Sequence, residues 1–136
     1  MYCLQAVIVT EPARSRLLDA FEGARLVSLG QNLSLMPVTE TRFDTGPLAA
    51  CSAHGAVAYV EAEYFGGAGT QSAQVWERGE TVLGPLHVDE DEPDPADGSP
   101  ISQALRRLGV LKGDHFDEFD AVGLGRHRYT DDWLSA

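Results

Sequence analysis

Polar and apolar positions alternate most clearly in the middle of the chain. There Ala56 to Phe65 sets Ala58, Val60, Ala62 and Tyr64 on one face and Tyr59, Glu61, Glu63 and Phe65 on the other. A two-residue period predicts a strand. Gly66-Gly67-Ala68-Gly69 predicts a turn or bulge needing backbone angles open to glycine. Gln71 to Trp76 predicts a second strand, Arg78-Gly79 another turn, and Thr81-Val82-Leu83 a third strand. The economical arrangement is a three-stranded meander.

The N-terminal third predicts a strand at Ala6 to Val9 and a helix entered from Thr10. Pro12 falls where a missing N–H costs nothing, Ala13, Leu17 and Phe21 recur at helical spacing, and Gly23 is the stop. Arg25 to Leu29 and Leu33 to Val38 read as two strands about Gly30-Gln31-Asn32. Thr39 to Asp44 predicts a helical turn ended by Gly46-Pro47, while Leu48 to His54 fits helix or strand. Further on, Ser99-Pro100 opens a helix carrying Ile101, Leu105 and Leu108, with Gly109 as its stop. Asp114 is expected to cap a short helix presenting Phe116 and Phe119. From Gly123 to Trp133 there is no clear period. These elements predict one α+β domain over 1–136, with a mainly antiparallel sheet, a central meander and helices packed on one face.

Charge narrows the partners. Lys and Arg number 10 against 21 Asp and Glu, a net charge of -11 among 136 residues. Nucleic-acid binding is disfavoured, because it gains free energy by replacing phosphate counterions with Lys and Arg. No apolar run is long enough to span a membrane, and Met1 to Thr10 lacks the basic region and cleavage site of a signal peptide, so a cytoplasmic setting is expected. Cys3 and Cys51 are too few for a disulfide framework and read as small buried hydrophobes.

Pro85 to Pro100 holds six acids, four prolines and no Lys or Arg, and predicts a solvated loop. Four more acids lie between Asp114 and Asp120. Two segments thus hold nearly half of the carboxylates, and Asp89, Glu90, Asp91, Glu92, Asp117 and Glu118 are the candidates for contact with a basic partner. Complementary potentials speed association and sharpen specificity.

A second candidate site draws on Glu61, Glu63, Tyr64, Arg126, His127 and Arg128, beside the glycine turn. Carboxylates about 6.6 Å apart along one strand can share a cation or divide acid and base roles. Their plainer reading is the wet face of a half-exposed sheet. Arg126-His127-Arg128 can bind an anion through forked hydrogen bonds. Its plainer reading is internal pairing with Glu61, Glu63 or the Asp114 to Asp120 segment.

Other chemistry fits poorly. Gly67-Ala68-Gly69 is not followed by the helix or Walker lysine of a phosphate site. His87 with Asp89 and Asp91, or His115 with Asp117, Glu118 and Asp120, lacks the paired spacing of a metal site. Cys51-Ser52-Ala53-His54 names no third member of a nucleophilic set. No cofactor is expected.

The stretches Glu63-Tyr64-Phe65-Gly66-Gly67-Ala68-Gly69-Thr70-Gln71 running to Trp76, and Gly123-Leu124-Gly125-Arg126-His127-Arg128 with Asp131-Asp132-Trp133, resemble a family of small uncharacterised bacterial proteins common in actinomycetes. That family carries over no catalytic residue. In its acidic, single-domain character the chain is similar to immunity proteins, which neutralise a toxin by covering its active site. The expectation is therefore a non-enzymatic acidic protein-binding protein, an immunity protein or inhibitor of a basic toxin or nuclease. The alternatives are a small enzyme or ligand-binding protein using the second site, and a homo-oligomer pairing through the free edge of the meander.

Overall fold

The computed structural model describes residues 1–40, 42–66 and 68–135. Six strands and four helices follow in the order β1 Tyr2–Val9, α1 Arg14–Ala20, β2 Val27–Ser28, β3 Ser34–Pro37, α2 Leu48–Cys51, β4 Val57–Phe65, β5 Ala68–Glu77, β6 Glu80–Val88, α3 Pro100–Arg107 and α4 Glu118–Val122. They build one sheet in the order β2-β3-β1-β4-β5-β6, each neighbouring pair antiparallel. The expected meander is β4-β5-β6, and the class is α+β. Arg78 and Gly79 close its second turn with φ of 50° and 82°. Positive angles at both central residues make the turn whose twist matches the flanking strands.

The third strand is longer than Thr81-Val82-Leu83. It runs through Pro85 to Val88, so the acidic loop begins at Asp89. A proline is tolerated there because β6 is an edge strand, and register shifts between Ala73 and Trp76 bend the pairing. Thr39, Glu40 and Arg42 to Asp44 form no helix, and Thr41 lies outside the described residues. Leu48 to His54 resolves into the short α2. Asp117, not Asp114, caps α4, its Oδ1 accepting from Asp120 N at 2.8 Å.

Helices cover both faces of the sheet and not one. On the first face Leu4, Ala6, Ile8, Ala58, Val60, Ala62 and Val75 pack under Ile101 and Leu105 of α3, with Leu124 and Trp133. On the second, Val7, Val9, Val57 and Trp76 pack under Leu17 of α1 and Leu48 and Cys51 of α2. The cause lies in β1, where Val7, Ile8 and Val9 are consecutive apolar residues, all buried. A strand apolar on both sides needs cover on both. The second layer is short. Past Tyr59 it ends, and Glu61, Glu63 and Phe65 stand in solvent.

Residues 128–130 run beside the free stretch of β1, where Cys3 N donates to Arg128 O at 2.7 Å and Gln5 N to Thr130 Oγ1 at 3.0 Å. Among the described residues, no helix is long and apolar enough to cross a membrane.

Candidate functional site

The two acidic segments, distant in sequence, meet because of how α3 is anchored. Helix α3 begins with Ser99 as N-cap, whose side chain accepts from Ser102 N at 3.3 Å, and Pro100 has no N–H to satisfy. The remaining first-turn donor, Ile101 N, goes to Gln71 Oε1 at 2.9 Å. The same Gln71 donates through Nε2 to the Tyr64 hydroxyl oxygen at 2.8 Å. One buried amide therefore ties the start of α3 to β5 and holds the Tyr64 ring.

At the other end of α3, Arg106 Nε lies 3.2 Å from Glu118 Oε2. This pair pins α4 to α3 and carries Asp117 and Phe119 to the end of the sheet where Tyr2 pairs with Tyr64 across β1 and β4. The loop from β6 to α3 brings Asp94 to the same place. The result is a cavity of about 320 Å³ walled by Tyr2, Tyr64, Phe119, Gln71, Ser99, Asp94 and Asp117.

Its rings are fixed. The Tyr2 hydroxyl donates to Leu124 O at 2.8 Å, and Tyr2 meets Phe119 edge-on, centroids 5.4 Å apart at 60°. Gly69 stands opposite Tyr64, and a Cβ there would run into the Glu63 carbonyl and the Tyr64 ring. Burial pushes the Tyr2 phenol well above its ordinary range. Tyr64 is also raised, first by burial and then by the charges of Asp94 and Asp117, against the lowering hydrogen bond from Gln71. The field of both carboxylates therefore reaches the cavity wall. Among the described residues the ion pairs are Arg106–Glu118, Arg107–Glu77, His87–Asp89 and His115–Asp120, so neither Asp94 nor Asp117 is neutralised by a paired cation.

The other acidic candidates divide. Glu90 and Asp91 are exposed, as is Glu92, whose Oε1 accepts from Asp89 N at 3.1 Å. Asp89 is tied to His87. Glu118 faces inward, 8% exposed against Arg106, and offers no carboxylate to a partner.

The second candidate site is not brought together. Glu61 and Glu63 stand on the open end of one sheet face, while Tyr64 lies on the opposite face. Arg126 bonds carbonyls, its Nη2 donating to Ser28 O at 2.7 Å and its Nε to Gly123 O at 3.1 Å, with the guanidinium 5.1 Å from the Trp133 ring centre. His127 packs edge-on against Trp133, and Arg128 is exposed. The expected pairing of these arginines with Glu61, Glu63 or the 114–120 acids does not occur among the described residues: carbonyls and the indole ring take Arg126, and Arg128 stands in solvent. Gly67 of the glycine turn lies outside the described residues.

A polar row crosses the open face as Gln5, Glu61, Ser72 and His87, paired strand to strand. His87 Nδ1 is 2.6 Å from Ser72 Oγ, and Nε2 is 2.7 Å from Asp89 Oδ1. The order hydroxyl, imidazole, carboxylate is that of an activated nucleophile. Yet the carboxylate of Glu61 beside Ser72 opposes a developing oxyanion, and β5 is paired on both sides, so nearby N–H groups are engaged in the ladder. What the chain of bonds does is fasten the root of the acidic loop to the sheet.

Cys51 is buried, its Sγ donating to Arg16 O at 3.6 Å, and burial pushes its thiol up. His54 instead meets Arg16 at 3.1 Å. Among the described residues no three His, Cys, Asp or Glu are grouped to hold a metal ion. No protein-family model, curated protein or solved structure matches this chain.

Proposed function

We propose that this chain is a non-enzymatic acidic protein-binding protein, an inhibitor or immunity protein whose partner is a basic protein such as a toxin or nuclease domain. The observation that carries the reading is the meeting of Asp94 and Asp117, from two separate acidic segments, at one aromatic-walled cavity where no Lys or Arg is present. Carboxylates held together without counter-charges raise a local negative potential, which steers a basic partner and is unfavourable until one arrives. Exposed Glu90 and Asp91 extend that surface along the loop. Both cysteines are free, which suits a reducing cytoplasmic setting.

The test is zero-length carbodiimide cross-linking of the complex captured at low salt from the native host. The reading expects lysines of a basic partner joined to residues 89–97 and Asp117. Cross-links confined to other surfaces, or only a monomer or homo-oligomer at every salt concentration, would count against it. The enzyme reading keeps one observation, the Ser72-His87-Asp89 chain. Covalent fluorophosphonate labelling of Ser72 that His87→Ala abolishes would put that reading first.

A further inference from the structure

We propose that the cavity at the Tyr2–Tyr64 end of the sheet is an aromatic cage for one alkylammonium group, supplied by a lysine side chain of the partner. The choice of a partner lysine rests on the protein-binding reading, whereas the cation chemistry stands on the cavity alone. Three rings from three elements line this open-mouthed cavity: Tyr2 from β1, Tyr64 opposite it on β4, and Phe119 from α4, edge-on to Tyr2. An aromatic ring presents a negative face to a cation. Asp94 and Asp117 add formal charge at the rim and acceptors for an ammonium N–H.

Each class of ligand can be weighed against these walls. An anion meets two carboxylates and three electron-rich rings and is repelled. A neutral apolar group would desolvate the carboxylates without pairing them. A divalent metal needs several closely set hard ligands, and no such group exists among the described residues. An alkylammonium answers both kinds of wall at once. The cage is also formed in advance, since the hydroxyl of Tyr2 is bonded to Leu124 O and that of Tyr64 to Gln71 Nε2. Rings that need no reordering lower the cost of binding. The raised ionisation of Tyr64, partly due to Asp94 and Asp117, agrees with a cavity whose potential favours a cation.

The experiment is an NMR titration of the full chain with three probes: Nα-acetyl-lysine methylamide, tetramethylammonium, and the Nε-acetylated lysine as a neutral isostere. Both ammonium probes are expected to give saturable shifts at Tyr2, Tyr64, Phe119 and residues 94–99, and the isostere none. Asp94→Asn with Asp117→Asn should weaken binding of the lysine analogue about tenfold, as two charge-assisted contacts are lost. Asparagine caps a helix as well as aspartate, so α4 is kept. Phe119→Leu, which keeps apolar volume and loses the ring face, should weaken it about threefold. Tighter binding of the lysine analogue points to a partner side chain, and tighter binding of tetramethylammonium to a free quaternary ammonium in the same cage. Equal shifts with the isostere, or no shift with either cation, would overturn the cage. That result would leave salt-labile capture of a basic partner untouched, so the two proposals fail separately.

Discussion

Replacing Gln71 with leucine removes one amide and breaks two connections at once. Leucine is close to glutamine in volume, so the packing change is small and the loss is polar. Ile101 is fully buried, and its N–H, now accepted by Gln71 Oε1 at 2.9 Å, would have no partner. An orphaned buried donor costs about 1–3 kcal/mol. The Tyr64 hydroxyl keeps access to water in the cavity, so its lost bond adds only about 0.5 kcal/mol, the low end for a neutral hydrogen bond. Gln71→Leu should therefore destabilise the fold by about 2 kcal/mol, lowering Tm by about 8 °C in a domain of this size. Gln74→Leu is the control, because its amide bonds only the exposed Thr81 Oγ1 at 3.0 Å and should cost less than about 0.5 kcal/mol. Urea unfolding of the three proteins at equal m-value reads the difference directly. If Gln71→Leu is no less stable than Gln74→Leu, the start of α3 is not anchored through Gln71, and the account of how the cavity wall is held fails.

Three further outcomes are expected. Tyr2, Tyr59 and Tyr64 are all raised above the ordinary tyrosine value of 10.0, chiefly by burial, so the folded state holds these protons longer than the unfolded chain. Their contribution is intact below pH 10 and is lost as pH rises from there through the folded values. Phenolate absorbance against pH should show Tyr64 ionising earlier once Asp94 and Asp117 are both made Asn. Gly69→Ala forces a methyl into the Glu63 carbonyl and the Tyr64 ring; it should cost about 1–3 kcal/mol in urea unfolding and displace the Tyr64 ring signals. Glu118→Ala leaves Arg106 without its partner, but the Arg106 side chain is 44% exposed and screened, so the loss in urea unfolding should be only about 1 kcal/mol.

Local pattern carried the fold and long-range register carried the site. Alternation from Ala58 to Tyr64, with the glycine turn, Gln71 to Trp76, Arg78-Gly79 and Thr81 to Leu83, predicts the meander, and Ser99-Pro100 with Gly109 predicts α3, because these signals are local. Helices on one face were expected; the second layer follows from Val7-Ile8-Val9, a run without alternation that is buried on both sides. Pro85 looked like the start of a loop because sequence does not say that β6 is an edge strand. The charge of the acidic segments is plain in the sequence, but their convergence depends on Tyr2 pairing with Tyr64 and on Gln71 reaching Ile101 N. Neither partner is near the other in the chain. Tyr2, Gln71, Ser99 and Phe119 carry no binding motif, and only their assembled positions make them walls of one cavity. In Arg126-His127-Arg128 the cluster divides on folding: Arg126 bonds carbonyls and lies over the Trp133 ring, His127 packs on the same ring, and Arg128 stays exposed.

The proposed function places a basic partner where Asp94 and Asp117 meet. Native mass spectrometry of the tagged chain captured from its host, run in parallel with the Asp94→Asn, Asp117→Asn variant at low and moderate salt, decides whether it is bound there. A stoichiometric basic protein is expected on the wild type, released as salt rises and lost or much reduced on the variant. The same partner held equally by both proteins, or no basic partner on either, would contradict it.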